Sequence, residues 1–223
     1  MKHKYKYKIT KKKHLKILTK YFKINYIFYI TLIICLFILS IKYSKPIIYL
    51  MICFIIISFY GYSTHIFSHS LSVTKLYNSH DTILKKIYPI DLFIKKYCDI
   101  HDFHHNIHHN TDINNLFFNR LLEGLNNLFF QSIILIIFKY ILIFLDDKII
   151  IFWGLFYTTF HVINVSINNP LVHKEHHINC KTNLGIEFYD ILMGTKYNWK
   201  HIECHNSGSI NIIILTLLFY FLV

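Results

Sequence analysis

Helix-breaking residues are scarce in this chain: 223 residues include only six glycines and three prolines. A loop-rich, collagen-like or low-complexity architecture is therefore excluded. Acidic residues are also few, 12 against 24 Lys and Arg, leaving a formal net charge of +12. The five cysteines (35, 53, 98, 180 and 204) form no C-x-x-C pair, and Cys35 and Cys53 fall within apolar runs. Neither a disulfide framework nor a cysteine-based redox motif follows from them. Several catalytic signatures are missing as well. There is no H-E-x-x-H, no Glu-x-x-His, no phosphate-cradling glycine loop and no G-x-S-x-G elbow. A zinc protease, a soluble di-iron bundle, a nucleotide site and a serine-hydrolase elbow thus lack support.

What is abundant is apolar side chain. Hydrophobic residues make up 54% and aromatics 17% of the chain. They fall in blocks, the pattern of a polytopic all-α membrane protein. Hydropathy predicts four spans, at 25–41, 46–62, 128–145 and 149–165, forming two hairpins closed by the short turns KYSK and DDK. The tail 210–223 is apolar but short of the roughly 20 residues a spanning helix needs, and reads as an interfacial or packed helix. Residues 1–24 form a basic arm without a small-residue cleavage site, and the membrane domain occupies 25–209. The positive-inside tendency puts that arm, both termini and the polar segment 70–126 on the cytosolic side. A basic flank ahead of an apolar span fits anionic lipid better than nucleic acid, because no soluble basic domain follows.

Under this topology every histidine cluster gathers on the same side, as a cytosolic helical cap. His65 and His69 close span two at i, i+4 spacing, so both rings share a helix face. The segment HDFHHNIHHN holds two overlapping H-x-x-H-H readings, His101/His104/His105 and His105/His108/His109. His161 ends span four, and His173/His176/His177 repeat the H-x-x-H-H pattern on one face. Converging imidazoles suit iron, zinc or copper rather than magnesium or calcium. Nine such ligands exceed what one ion takes, so two ions are the natural count. Asp102, Glu175, Glu187 and Asp190 are candidate partners that orient imidazole N–H groups. Asn183 and Gly185 read as turn residues.

These boxes resemble the fatty acid hydroxylase/sterol desaturase superfamily of membrane di-iron enzymes. The resemblance rests on His65/His69, His101/His104/His105, His161 and His173/His176/His177. It continues through Asn183-x-Gly185 to Asp190 and the Gly194-Thr195 ending, and RLLEGL at 120–125 is similar to that family's His-Pro-Leu-Glu segment, with Arg120 in the histidine's place. Aligning Glu123 there favours His101/His104/His105 in the middle box. Two departures stand out: residues 70–98 look like an insertion, and Val165 occupies a position where some members carry a second histidine. The resemblance implies two Fe ions, dioxygen as co-substrate, and hydroxylation or desaturation of a fatty acyl, sphingolipid or sterol C–H bond. It also implies the endoplasmic reticulum and an external electron donor such as cytochrome b5 with its reductase, because the chain carries no heme module. Two other classes predict different patterns. A metal transporter or buffer predicts ligands along mid-membrane, where the span centres here are apolar. A decayed scaffold predicts emptied boxes, where here each is filled.

Overall fold

A computed structural model describes residues 11–70, 116–138, 144–168, 170–179 and 182–223. Among these the chain is all-helical, with no strand. Helix α1 (Lys11–Ile24) is amphipathic. Ile17 and Tyr21, one turn apart, are buried against Phe188, Ile191 and Trp199, while Lys13, Lys16, Lys20 and Lys23 face outward. Helix α2 (Tyr26–Lys42) follows after a 66° bend. Such a break strands backbone groups of both helices, and two asparagines meet them. Buried Asn25 donates to the carbonyls of Tyr21 and Glu203 and accepts the His205 N–H. Asn206 accepts the Phe28 N–H and donates to the Ile24 carbonyl. The bend is thereby clasped to the 203–206 segment.

Helix α3 (Ile47–Ser70) starts directly after Pro46, whose missing N–H costs nothing at a helix start. Helix α4 begins as Leu116–Leu128, passes through a π turn at Phe129–Ile133 and ends as Ile134–Phe138. Helix α5 is built the same way, from Asp147–Thr159 through a π turn at Phe160–Asn164 to Val165–Asn168. Asp146 caps α5 by accepting the N–H groups of Lys148 and Ile149. Two short helices, α6 (Leu171–Ile178) and α7 (Glu187–Met193), precede α8 (Gly208–Leu222).

The two tight turns meet at one end of the bundle. Lys45 pairs with Asp146 across them, and the Lys148 ammonium lies 3.9 Å from the centre of the Tyr43 ring. Tyr43 also donates to the Phe219 carbonyl near the end of α8. Close approach between helices uses small residues, which let backbones come near each other. A Cβ on Gly154 would collide with Ser132, and one on Gly61 with the Gln131 amide. Gln131 accepts the Trp153 indole N–H at 3.0 Å, so α3, α4 and α5 converge on one polar contact inside an otherwise apolar core.

Two described helical stretches, Ile47–Ile66 and Arg120–Ile137, are long and apolar enough to cross a membrane. A third is reached if the bent pair Lys13–Ile24 and Tyr26–Lys42 counts as one span. The stretch Arg120–Ile137 overlaps the expected span 128–145, of which residues 139–143 lie outside the described residues, and it carries Arg120 and Glu123 paired at 2.7 Å. The 210–223 tail forms α8 and packs along α2. The insertion at 70–98 lies outside the described residues.

Candidate functional site

The C-terminal parts of α3 and α5 and the whole of α6 deliver histidines to one cavity of ≈ 50 Å³. Its walls include His65, His161, His173 and His176, with Asn183 and Gly185 below. Helical spacing explains the third box: His173 and His177, one turn apart, have ring centres 4.6 Å apart. The π turn of α5 buries His161, bringing its ring to 4.9 Å from His173 and stacking it on Tyr157 at 5.7 Å. His65 reaches across from α3 to 4.8 Å from His176. His173–His176 and His176–His177 complete the group at 6.2 and 5.6 Å.

These separations can be tested against metal binding. Imidazoles sharing one ion at an N–metal distance of about 2.1 Å have ring centres roughly 4.5 to 6.5 Å apart. All five pairs fall in that range. His173 Nε2 and His177 Nε2 are 2.9 Å apart, a hydrogen-bond distance, somewhat closer than the roughly 3.4 Å between two nitrogens on a tetrahedral ion. His176 Nδ1 lies 2.7 Å from the Thr182 carbonyl, which only a protonated Nδ1 can satisfy. Its Nε2 is thus left as the lone-pair nitrogen, the arrangement typical of a metal-bound histidine. The donor set fits a transition metal. Among the described residues no three His, Cys, Asp or Glu side chains already close around a single point. The side chain of His69, and all of His101, Asp102, His104, His105, His108 and His109, lie outside the described residues.

The expected carboxylate partners have other duties. Asp190, fully buried, accepts the N–H groups of Leu184 and Gly185 at 2.8 and 3.3 Å and the Thr195 hydroxyl at 2.6 Å. Burial pushes its carboxyl up to about 6, against those hydrogen bonds and Lys196, which pull it down. Glu187 pairs with buried Lys196 and accepts the Glu203 N–H. Glu175 meets the His201 ring at 2.6 Å and the Asn183 amide at 3.4 Å. Among the described residues none of the three bonds a box histidine; they fasten the loop beneath the cavity instead. The Asn-x-Gly…Asp…Gly-Thr pattern acquires a structural reason at each point. Asn183 holds a left-handed φ of 52° and bonds the Val172 carbonyl and the Tyr197 N–H. Gly185 passes so close to Tyr62 that a Cβ would lie 3.0 Å from its ring. Gly194 ends α7 at φ 75°.

Imidazole orientation falls to groups the spacing arguments did not select for it. Besides Thr182, these include Glu123, which is buried in α4, lies 3.4 Å from His161 Nε2 and is bonded by Arg120 at 2.7 Å. Two more cavity residues, Glu203 and His205, went unselected. The spacing His201-x-x-x-His205 is a signal for the second, but it lies in a loop rather than on a helix. Burial, with the charge of Glu187 adding to it, pushes the Glu203 carboxyl up to about 8. Burial and the Lys196 ammonium hold the His205 ring neutral by lowering it to about 3.

Comparisons with known families, curated proteins and solved structures give no match.

Proposed function

We propose that the chain is a membrane oxidoreductase of the fatty acid hydroxylase/sterol desaturase kind, acting on a lipid C–H bond with dioxygen. The observation that carries this reading is the imidazole cluster: three helices bring His65, His161, His173, His176 and His177 within 4.6 to 6.2 Å of their neighbours. His65, His161, His173, His176 and His177 would hold metal, joined by His69 and by His101, His104 and His105 of the middle box. Two irons bound there supply the power to activate dioxygen and remove hydrogen from an unactivated carbon. The chain's own part is to orient and to exclude water. Thr182 fixes the His176 tautomer, Glu123 steadies His161, and Phe28, Phe156 and Phe160 make an apolar wall for the reacting carbon.

The reading carries its wider expectations with it. Four crossings in two hairpins place the histidine cap on the cytosolic face, in the endoplasmic reticulum, where cytochrome b5 and its reductase deliver electrons. His65 and His161 lie past the midpoints of α3 and α5, in their C-terminal parts, which favours chemistry toward one membrane face over a transport path. The test is lipid analysis of cells expressing the chain under ¹⁸O₂. Wild type yields a lipid heavier by one ¹⁸O atom, or lighter by two hydrogens, and His173→Ala with His177→Ala yields neither. Equal products from both chains would sink the proposal.

A further inference from the structure

The cavity has a second side that the histidine cluster does not occupy. His205 lines it and is buried, and its Nε2 meets no hydrogen-bond partner among the described residues. Its ring contacts are aromatic: Phe160 at 5.6 Å, Tyr21 at 6.0 Å and Phe28 at 6.1 Å. Those contacts include no other histidine ring, so in this geometry it is not a member of the cluster. A buried, unmet imidazole nitrogen costs stability unless something in the cavity satisfies it. The other ring nitrogen, Nδ1, stands 4.0 Å from the Glu203 carboxylate, and the backbone N–H is already held by Asn25. The open valence is therefore Nε2.

We infer that His205 is a specificity-determining residue whose Nε2 hydrogen-bonds a hydroxyl group of the lipid substrate, close to the carbon that reacts. This rests on reading the cavity as the site of lipid oxidation. A hydroxyl suits the position because it both donates and accepts, and so satisfies either tautomer of a neutral ring. Phe28 and Phe160, flanking His205, give the adjoining methylene groups an apolar bed. A cavity of ≈ 50 Å³ admits the functionalised end of a lipid rather than a long stretch of its chain. The preferred substrate class is accordingly a long-chain lipid bearing a hydroxyl near the reacting carbon, not a plain alkyl segment. Water could supply the same hydroxyl chemistry, and the experiment separates the two.

The experiment compares 1-hexadecanol with hexadecane as ligands of the full detergent-solubilised chain, reading apparent affinity from the rise in Tm on titration. One neutral hydrogen bond predicts that wild type prefers the alcohol by about three- to tenfold. His205→Phe keeps the aromatic packing and is expected to erase the preference. His205→Gln reaches the Nε2 position and keeps it, whereas His205→Asn reaches only the Nδ1 position and loses it. An alcohol preference surviving in both His205→Phe and His205→Asn, or missing in wild type, would overturn the inference and leave water as the partner of Nε2. Iron content, measured on the same preparations, keeps the two ideas apart. Iron without an alcohol preference defeats the role of His205 alone, and a preference without iron supports that role while defeating the oxidation reading.

Discussion

His176 Nδ1 and the carbonyl oxygen of Thr182 are 2.7 Å apart, with the helix α6 turn and the loop after it fixing both. The contact decides which nitrogen of His176 faces the cavity, and it depends on the loop staying in place. Asn183, Asp190 and Thr195 hold that loop through the Val172 carbonyl, the Leu184 N–H and the Asp190 carboxylate. The loop motif thus acts on the histidines through backbone geometry.

Glu123 is the first place to test that orientation. Glu123→Ala leaves the half-buried Arg120 and the buried His161 without this carboxylate, and losing such a charged hydrogen-bond partner costs about 1.5 to 3 kcal/mol. Thermal unfolding in detergent should show a clear drop in Tm. Replacing Arg120 and Glu123 together by leucine should recover much of it, since no charge is then left alone. A double variant as unstable as Glu123→Ala would place the cost elsewhere.

Gly61 predicts a packing effect. A methyl group there meets the Gln131 amide, which must move and release the Trp153 indole. Overpacking of this kind costs about 1 to 3 kcal/mol. Gly61→Ala should lower Tm and shift tryptophan emission, and Gln131→Ala should relieve part of the effect in the double variant. Additive losses would contradict the contact.

Stability should also depend on pH with a definite sign. The Glu203 carboxyl rises from its ordinary 4.5 to about 8, so the folded chain binds the proton more tightly than the unfolded chain. Its contribution is fully present below about 4.5 and is lost as pH rises through 8. Asp190 acts the same way between 3.8 and about 6. His205 has the opposite sign, gaining stability from about 3 up to 6.5 and changing little above. Between pH 6.5 and 8 the Glu203 effect stands alone among these three. Tm of wild type should fall across that interval, and Glu203→Gln should flatten the fall. Parallel curves for the two chains would be the contrary result.

Much of this architecture was legible from local pattern. The i, i+3 and i+4 spacing of His173, His176 and His177 foretold a shared face, and hydropathy located α2, the apolar part of α3 and most of α5. Contacts between distant segments were not legible. Glu123 and His161 are far apart in the chain, and Asn25 and His205 farther still, so neither pair leaves a periodic trace. Arg120 and Glu123 looked like polar residues ahead of a span, yet they pair with each other in a described helical stretch long and apolar enough to cross a membrane. His205 escaped notice because its spacing from His201 belongs to a helix, and the chain there is a loop held by Asn25.

Metal content per chain on detergent-purified protein, wild type beside His176→Ala, tests the central claim most directly. The account predicts close to two irons in wild type and loss of iron in the variant, with helical content by circular dichroism unchanged. Zinc alone, no stoichiometric metal under iron-replete conditions, or equal iron in both chains would contradict it.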